Sequence, residues 1–124
     1  MATITKTTPT YSVLQALDSV AAAAAVSQNY DLSTAICGTV FVKHDTLITP
    51  DANTLIQIYD SHDGTNFTHL AQSLEIDDAN DPGYSTPITL LGGRKYSVKV
   101  TNQDSTDSRN ITIESSKTAS YTVA

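Results

Sequence analysis

The sequence predicts an all-β domain, an antiparallel β-sandwich or jelly roll with an extended N-terminal arm. Three observations predict it. From residue 34 onward apolar and polar residues alternate with a period of two, which is the spacing of strands with one dry and one wet face. Turn-forming clusters recur roughly every ten residues, as they do in sandwiches and jelly rolls. Charged residues make up only 16% of the chain, against roughly 25% in average globular proteins. Thr, Ser and Asn take their place, and these suit pleated surfaces and turns.

The elements follow in order. Residues 1–12 are polar, Thr-rich and contain Pro9, and they read as the extended arm. Residues 13–124 read as the sandwich domain. Within it, residues 13–27 support two readings. Val13, Leu14, Leu17, Val20 and Ala21 fall at helical spacing and are followed by a run of alanines, which favours helix. No Gly or Asn closes such a helix, and the rest of the chain is β-patterned. The expectation is therefore an extended segment leading into a strand of small residues over 20–27.

The next strand is clearer. Ile36, Gly38, Val40 and Val42 share one face of it, and Cys37, Thr39, Phe41 and Lys43 the other. Residues 55–59, 96–101, 110–114 and 120–123 alternate in the same way. Residues 84–91 form a further candidate strand, with Pro87 placing it at an edge or a bulge. Turns are expected at 49–53, 63–66, 80–83, 92–93 and 102–108.

A chain of 124 residues, 40% of them hydrophobic, can build one core unaided. Its net charge of −6 and pI near 4.6 oppose binding to nucleic-acid phosphates or to an anionic membrane. The opening residues lack the apolar core of a signal peptide. The longest apolar run, residues 20–26, is too short to span a bilayer. Cys37 is the only cysteine, so no intramolecular disulfide forms, and its apolar neighbours predict a buried, inert thiol.

No constellation for catalysis stands out. His44, His62 and His69 are expected on exposed loops, without a third ligand at metal-binding spacing. Glu75, Asp77, Asp78 and Asp81 form an acidic cluster whose spacing departs from calcium-loop patterns, and Ca²⁺ binding there stays open. The absence of Trp weighs against sugar platforms, and no nucleophile elbow or phosphate loop is present. The expectation is a protein that binds and does not catalyse, with no cofactor and no metal.

Three stretches resemble a known family. Residues 30–35, Tyr-Asp-Leu-Ser-Thr-Ala, are similar to the D-L-S start of small β-sandwich proteins encoded among the head genes of tailed bacteriophages. Residues 55–67, Leu-Ile-Gln-Ile-Tyr-Asp-Ser-His-Asp-Gly-Thr-Asn-Phe, resemble their V-Q-V-S-x-D-G-T-N-W hairpin. Residues 93–100 resemble their G-x-R-Y-V-R-V strand. The chain departs in carrying Phe67 where Trp is usual, and in its Thr-rich arm and alanine run. In the hairpin, Asp63 and Gly64 would make a tight turn, Asn66 would bond the turn backbone, and Phe67 would return the chain to the core.

The resemblance implies a capsid decoration, or cement, protein. Such a protein binds the major capsid protein on the outside of the shell, as a homo-oligomer, often a trimer. Partner contacts are then expected from the arm, Ala2, Thr3, Ile4, Thr5 and Pro9, and from the small-residue segment bounded by Val20 and Val26. The alternatives are a neck, tail or fibre component of a virion, or a carbohydrate- or cell-surface-binding sandwich module.

Overall fold

The computed structural model describes residues 4–6, 10–45, 51–61, 63–77, 83–118 and 121–123. These form strands and connections, without helix. The strands are β1 (Ile4–Lys6), β2 (Thr10–Val20), β3 (Ala25–Asp31), β4 (Cys37–Asp45), β5 (Thr54–Ser61), β6 (His69–Ile76), β7 (Gly83–Tyr84), β8 (Ile88–Leu91), β9 (Lys95–Asn102), β10 (Arg109–Thr118) and β11 (Tyr121–Val123). One sheet has the order β2-β10-β4, with β7 and β8 both on the far side of β4. The second has the order β3-β9-β5-β6, and β1 pairs with β11. Every pairing is antiparallel.

The topology has a simple origin. β1 pairs with β11, β2 with β10, β3 with β9, β4 with β8, and β5 with β6. In each pair the two residues stand at nearly equal chain distances from Gly64: Ile4 with Val123, Val13 with Glu114, Tyr30 with Tyr96, Val40 with Ile88, Asp60 with His69. The chain is one long hairpin bent at residue 64 and wound into two layers. Two further pairings, β10 with β4 and β9 with β5, join its turns into sheets. The result is a jelly roll.

The core lies between the layers. Val40 and Val42 from β4, Ile56 and Ile58 from β5, Val98 and Val100 from β9, and Ile111 and Ile113 from β10 are each at most 1% exposed. Along β9, and along β10 as far as Ser116, burial alternates residue by residue, as the sequence pattern predicts. Tyr30 of β3 crosses between the layers and donates its hydroxyl to the Ser116 carbonyl of β10 at 2.6 Å. Gly38 makes room for this bond, because a Cβ there would collide with the Tyr30 phenol and the Leu32 methyls.

Three expectations need correction. The strand expected over 20–27 is interrupted: β2 ends at Val20, and residues 21–24 turn the chain into the other sheet. Ala23 takes a positive φ of 59° there, a conformation more usual for Gly or Asn. Residues 84–91 do not form one strand. Ser85 to Pro87 separate β7 from β8, and the Ser85 hydroxyl accepts the Val42 N–H at 2.9 Å, standing in for a ladder carbonyl. His44 is not on an exposed loop; it lies in β4 and is 2% exposed.

Candidate functional site

The two sheets turn unlike faces outward. On the first, the outward positions are the odd residues of β4 and the even residues of β10, opposite the buried ones. The register lays them out in rows. Phe41 and Val13 flank Glu114, Thr39 and Tyr11 flank Ser116, and Lys43 lies between Tyr84 and Thr112. Four of these side chains are large and apolar or aromatic: Tyr84 is 65% exposed, Tyr11 60%, Val13 47% and Phe41 38%. Among the described residues no layer covers them. A small groove beside Phe41, Lys43 and Tyr84 indents the face. Lys43 Nζ sits 5.7 Å from the centre of the Tyr84 ring, within cation–π range. A hydrogen bond with Glu114 pushes the Tyr11 phenol above its ordinary pKa.

Such a face is suited to docking. Its exposed aromatic and apolar side chains on β2, β4 and β7 are interleaved with Lys43, Thr112, Glu114 and Ser116, a mixture of aromatic and polar groups that a protein contact can use.

The residues expected at the partner contact are spread out. Ala2, Thr3 and Pro9 lie outside the described residues. Ile4 and Thr5 belong to β1 and pair with Val123 and Thr122. Val20 is 5% exposed and packs in the core. Val26, in β3, is partly buried against that core.

The hairpin residues come together at the bend of the long hairpin. Gly64 has φ +79°. One Asp63 oxygen accepts the backbone N–H of Thr65 at 2.8 Å and of Asn66 at 2.7 Å. The other accepts the Asn66 side-chain amide at 2.8 Å. These bonds hold the Asp63 carboxyl well below the usual carboxylate range. Asp63 therefore caps the turn backbone, the role the sequence reading gave to Asn66.

The remaining candidates separate. His69 lies on edge strand β6, while His62, Asp78 and Asp81 lie outside the described residues. Glu75 accepts the Asn53 side-chain amide at 2.9 Å. Among the described residues no group of three His, Cys, Asp or Glu side chains is placed to hold a metal. Cys37 is half-buried, not fully buried as expected, because it points outward from β4 opposite Leu91.

Sequence reasoning missed a buried polar cluster at the end of the sandwich away from the hairpin bend. Arg109, 2% exposed, donates to Thr54 Oγ1 at 2.6 Å and to the Ala52 carbonyl at 3.1 Å. His44 Nδ1 shares Thr54 Oγ1 at 2.7 Å. Nearby, Asp104 accepts the N–H groups of Thr106, Asp107 and Asp51 at 2.8–3.0 Å, which lowers its carboxyl below the ordinary range. The cluster ties loops to strand ends. A single Arg at the start of an apolar strand carries no sequence signal for such a role.

No family model matches the chain, and no curated protein matches it. Among solved structures it is similar to a chain in the acidic stable capsid structure of Helicobacter pylori bacteriophage KHP30. That likeness has 15% identity and a TM-score of 0.46, over 100% of this chain and 98% of the other.

Proposed function

We propose that this chain is a virion structural protein that decorates and stabilises a phage capsid, docking on the major capsid protein from outside through the outer face of the first sheet. It is made in the host cytoplasm and acts as a homo-oligomer, a trimer in the form the family resemblance suggests. The observation that carries this reading is the set of exposed side chains Tyr11, Val13, Phe41 and Tyr84 on the outer face of the first sheet. The motifs at 30–35, 55–67 and 93–100 support it from the sequence side. Repetition on a symmetric shell adds to it, because many modest contacts combine into firm retention. Residues 1–10 supplement the face by adding main-chain contacts to a neighbour.

The test is co-sedimentation of the purified chain with capsids assembled without it, followed by electron microscopy of the pellet. Saturable binding and regular density on the outer surface are expected. A chain that stays in the supernatant, or density confined to a neck or tail, refutes the reading. Deleting residues 1–10 is expected to leave a folded domain and abolish capsid retention. Unchanged occupancy would remove the arm from the account.

A further inference from the structure

The free edges of the two sheets are not alike. β2, at one edge of the first sheet, pairs with β10 through two register shifts. β6, at one edge of the second, carries a shift between Ile58 and Tyr59 of its partner. β7 and β8 are short and are separated by Ser85 to Pro87. Bulges, short strands and proline are common means of keeping an edge from pairing with another chain. β3 has none of them. It pairs with β9 over seven consecutive residues without a shift, and among the described residues no strand lies on its other side.

The main-chain groups of that edge are placed for a further strand. Leu32 donates its N–H to the Arg94 carbonyl, and Asn102 donates to the Ala24 carbonyl, each at 2.9 Å. The even residues between them therefore bond β9. The N–H and carbonyl groups of Ala25, Ser27, Asn29 and Asp31 point the other way, because the bonding direction alternates along an antiparallel strand. All four residues are exposed.

Two pockets flank the end of this edge, and both are lined by Asn29, Tyr30 and Asp31. One, of about 340 Å³, lies between the sheets, against Leu14 of β2 and Lys117 of β10, with Tyr11 as its wall toward the outer face of the first sheet. The other, of about 350 Å³, lies on the side of Lys95, against Phe67 beyond the bend. Successive side chains of an added strand point to opposite faces, so neighbouring residues would enter the two pockets in turn. Main-chain bonds to an edge, with pockets for alternate side chains, are the means by which strand addition gains affinity and selectivity.

Charge selects the segment. Asp31 is the one carboxylate lining either pocket, while Lys95 and Lys117 line one each. Lys99 stands beside Ser27 on β9. Like charges directly opposite each other destabilise a strand pair, so a carboxylate is disfavoured only opposite Asp31. Leu14 and Tyr30 offer apolar walls on the inner side.

We propose that β3 accepts an extended segment of a partner polypeptide as an antiparallel fifth strand of the second sheet, the segment being apolar where it faces inward and acidic where it faces outward. The main-chain contacts belong to the second sheet, so the proposal does not depend on capsid docking through the first.

The experiment is an amide-resolved NMR titration of the full chain with the peptide acetyl-Ser-Thr-Leu-Glu-Val-Glu-amide, whose Leu falls opposite Tyr30 and whose Thr falls opposite Asp31. An analogue N-methylated at the first Glu, and a peptide with both Glu replaced by Lys, serve as comparisons. Saturable shifts of the Ser27, Asn29 and Asp31 amides are expected, with slowed hydrogen exchange there. N-methylation removes a main-chain donor and should weaken binding at least about tenfold. Lys99→Glu should weaken it about fivefold and shift the preference toward the Lys peptide. Asn29→Pro removes an N–H that faces away from β9, a position where an edge strand tolerates Pro, and should abolish binding. The proposal is overturned if those amides show no saturable shift, if the shifts centre on β2, β6 or β8, if the N-methylated peptide binds as well as its parent, or if Lys99→Glu leaves the preference between peptides unchanged. A folded Asn29→Pro protein that binds as the parent does also overturns it; if that protein does not fold, the N-methylated peptide and Lys99→Glu decide.

Discussion

The outer faces of the two sheets come from the same alternation and differ in what it places outside. On the first sheet, Tyr11, Val13, Phe41 and Tyr84 lie outward. On the second, the rows read Ala25, Thr101, Leu55 and Glu75, then Ser27, Lys99, Gln57 and Ser73, then Asn29, Ser97, Tyr59 and Leu70. Leu55 and Tyr59 are half-buried there, and Leu70 is exposed on the edge strand. Both faces are structurally sufficient, since a sheet needs only its inner side dry. The first carries the more exposed aromatic surface, and the proposed docking rests on that difference.

The largest effect expected from probing this contrast is between the inner and outer sides of one strand. Ile113→Ala, inside β10, should cost about 2–5 kcal/mol of stability. Its neighbour Glu114→Ala, on the outer face, should stay within about 0.5 kcal/mol. Urea denaturation of both proteins measures the pair. Equal losses would mean that the outer face is part of the core and not a free surface.

Acid should act at the loops and leave the face contrast intact. Asp63 and Asp104 have folded-state pKa values depressed by backbone N–H groups. Their stabilisation is therefore fully present above the unfolded-state carboxylate value near 4, and is lost as pH falls below it. The Asp63→Asn, Asp104→Asn protein should accordingly lose less Tm between pH 5 and pH 3 than the parent. A parallel decline in the two proteins would contradict the assignment.

The smallest effect is at the turn that links the sheets. Ala23→Gly relieves a positive φ and touches neither outer face. It should raise stability by up to about 1 kcal/mol and leave capsid binding unchanged. A loss of stability would mean that Ala23 sits there without strain.

Much of this architecture is legible in the sequence, and the gaps have physical causes. β4, β5, β9 and β10 are readable because each has one buried and one exposed side, so polarity follows the pleat. β6 is not, because as an edge strand it is exposed at nearly every position and gives no alternation to detect. The turn at 21–24 is hidden because it is built from alanines, without Gly, Pro or Asn. The outer face of the first sheet is half visible. Phe41 sits at an outward position in the pattern, yet its place beside Tyr84 and across Glu114 from Val13 depends on strands far away in the chain. Asp60 and Arg94 meet only because the long hairpin brings the end of β5 beside the turn before β9, which local spacing cannot reveal.

Capsid binding of two charge-insertion proteins tests the central claim most directly. Phe41→Asp with Tyr84→Asp alters the first face, and Gln57→Asp with Ser73→Asp alters the second. Both should fold, as circular dichroism and Tm would verify. The first pair is predicted to weaken capsid co-sedimentation at least about a hundredfold, the scale of losing two interface hot spots, and the second to leave it near the parent value. Retention of binding by the first pair, or its loss in the second alone, would contradict the account.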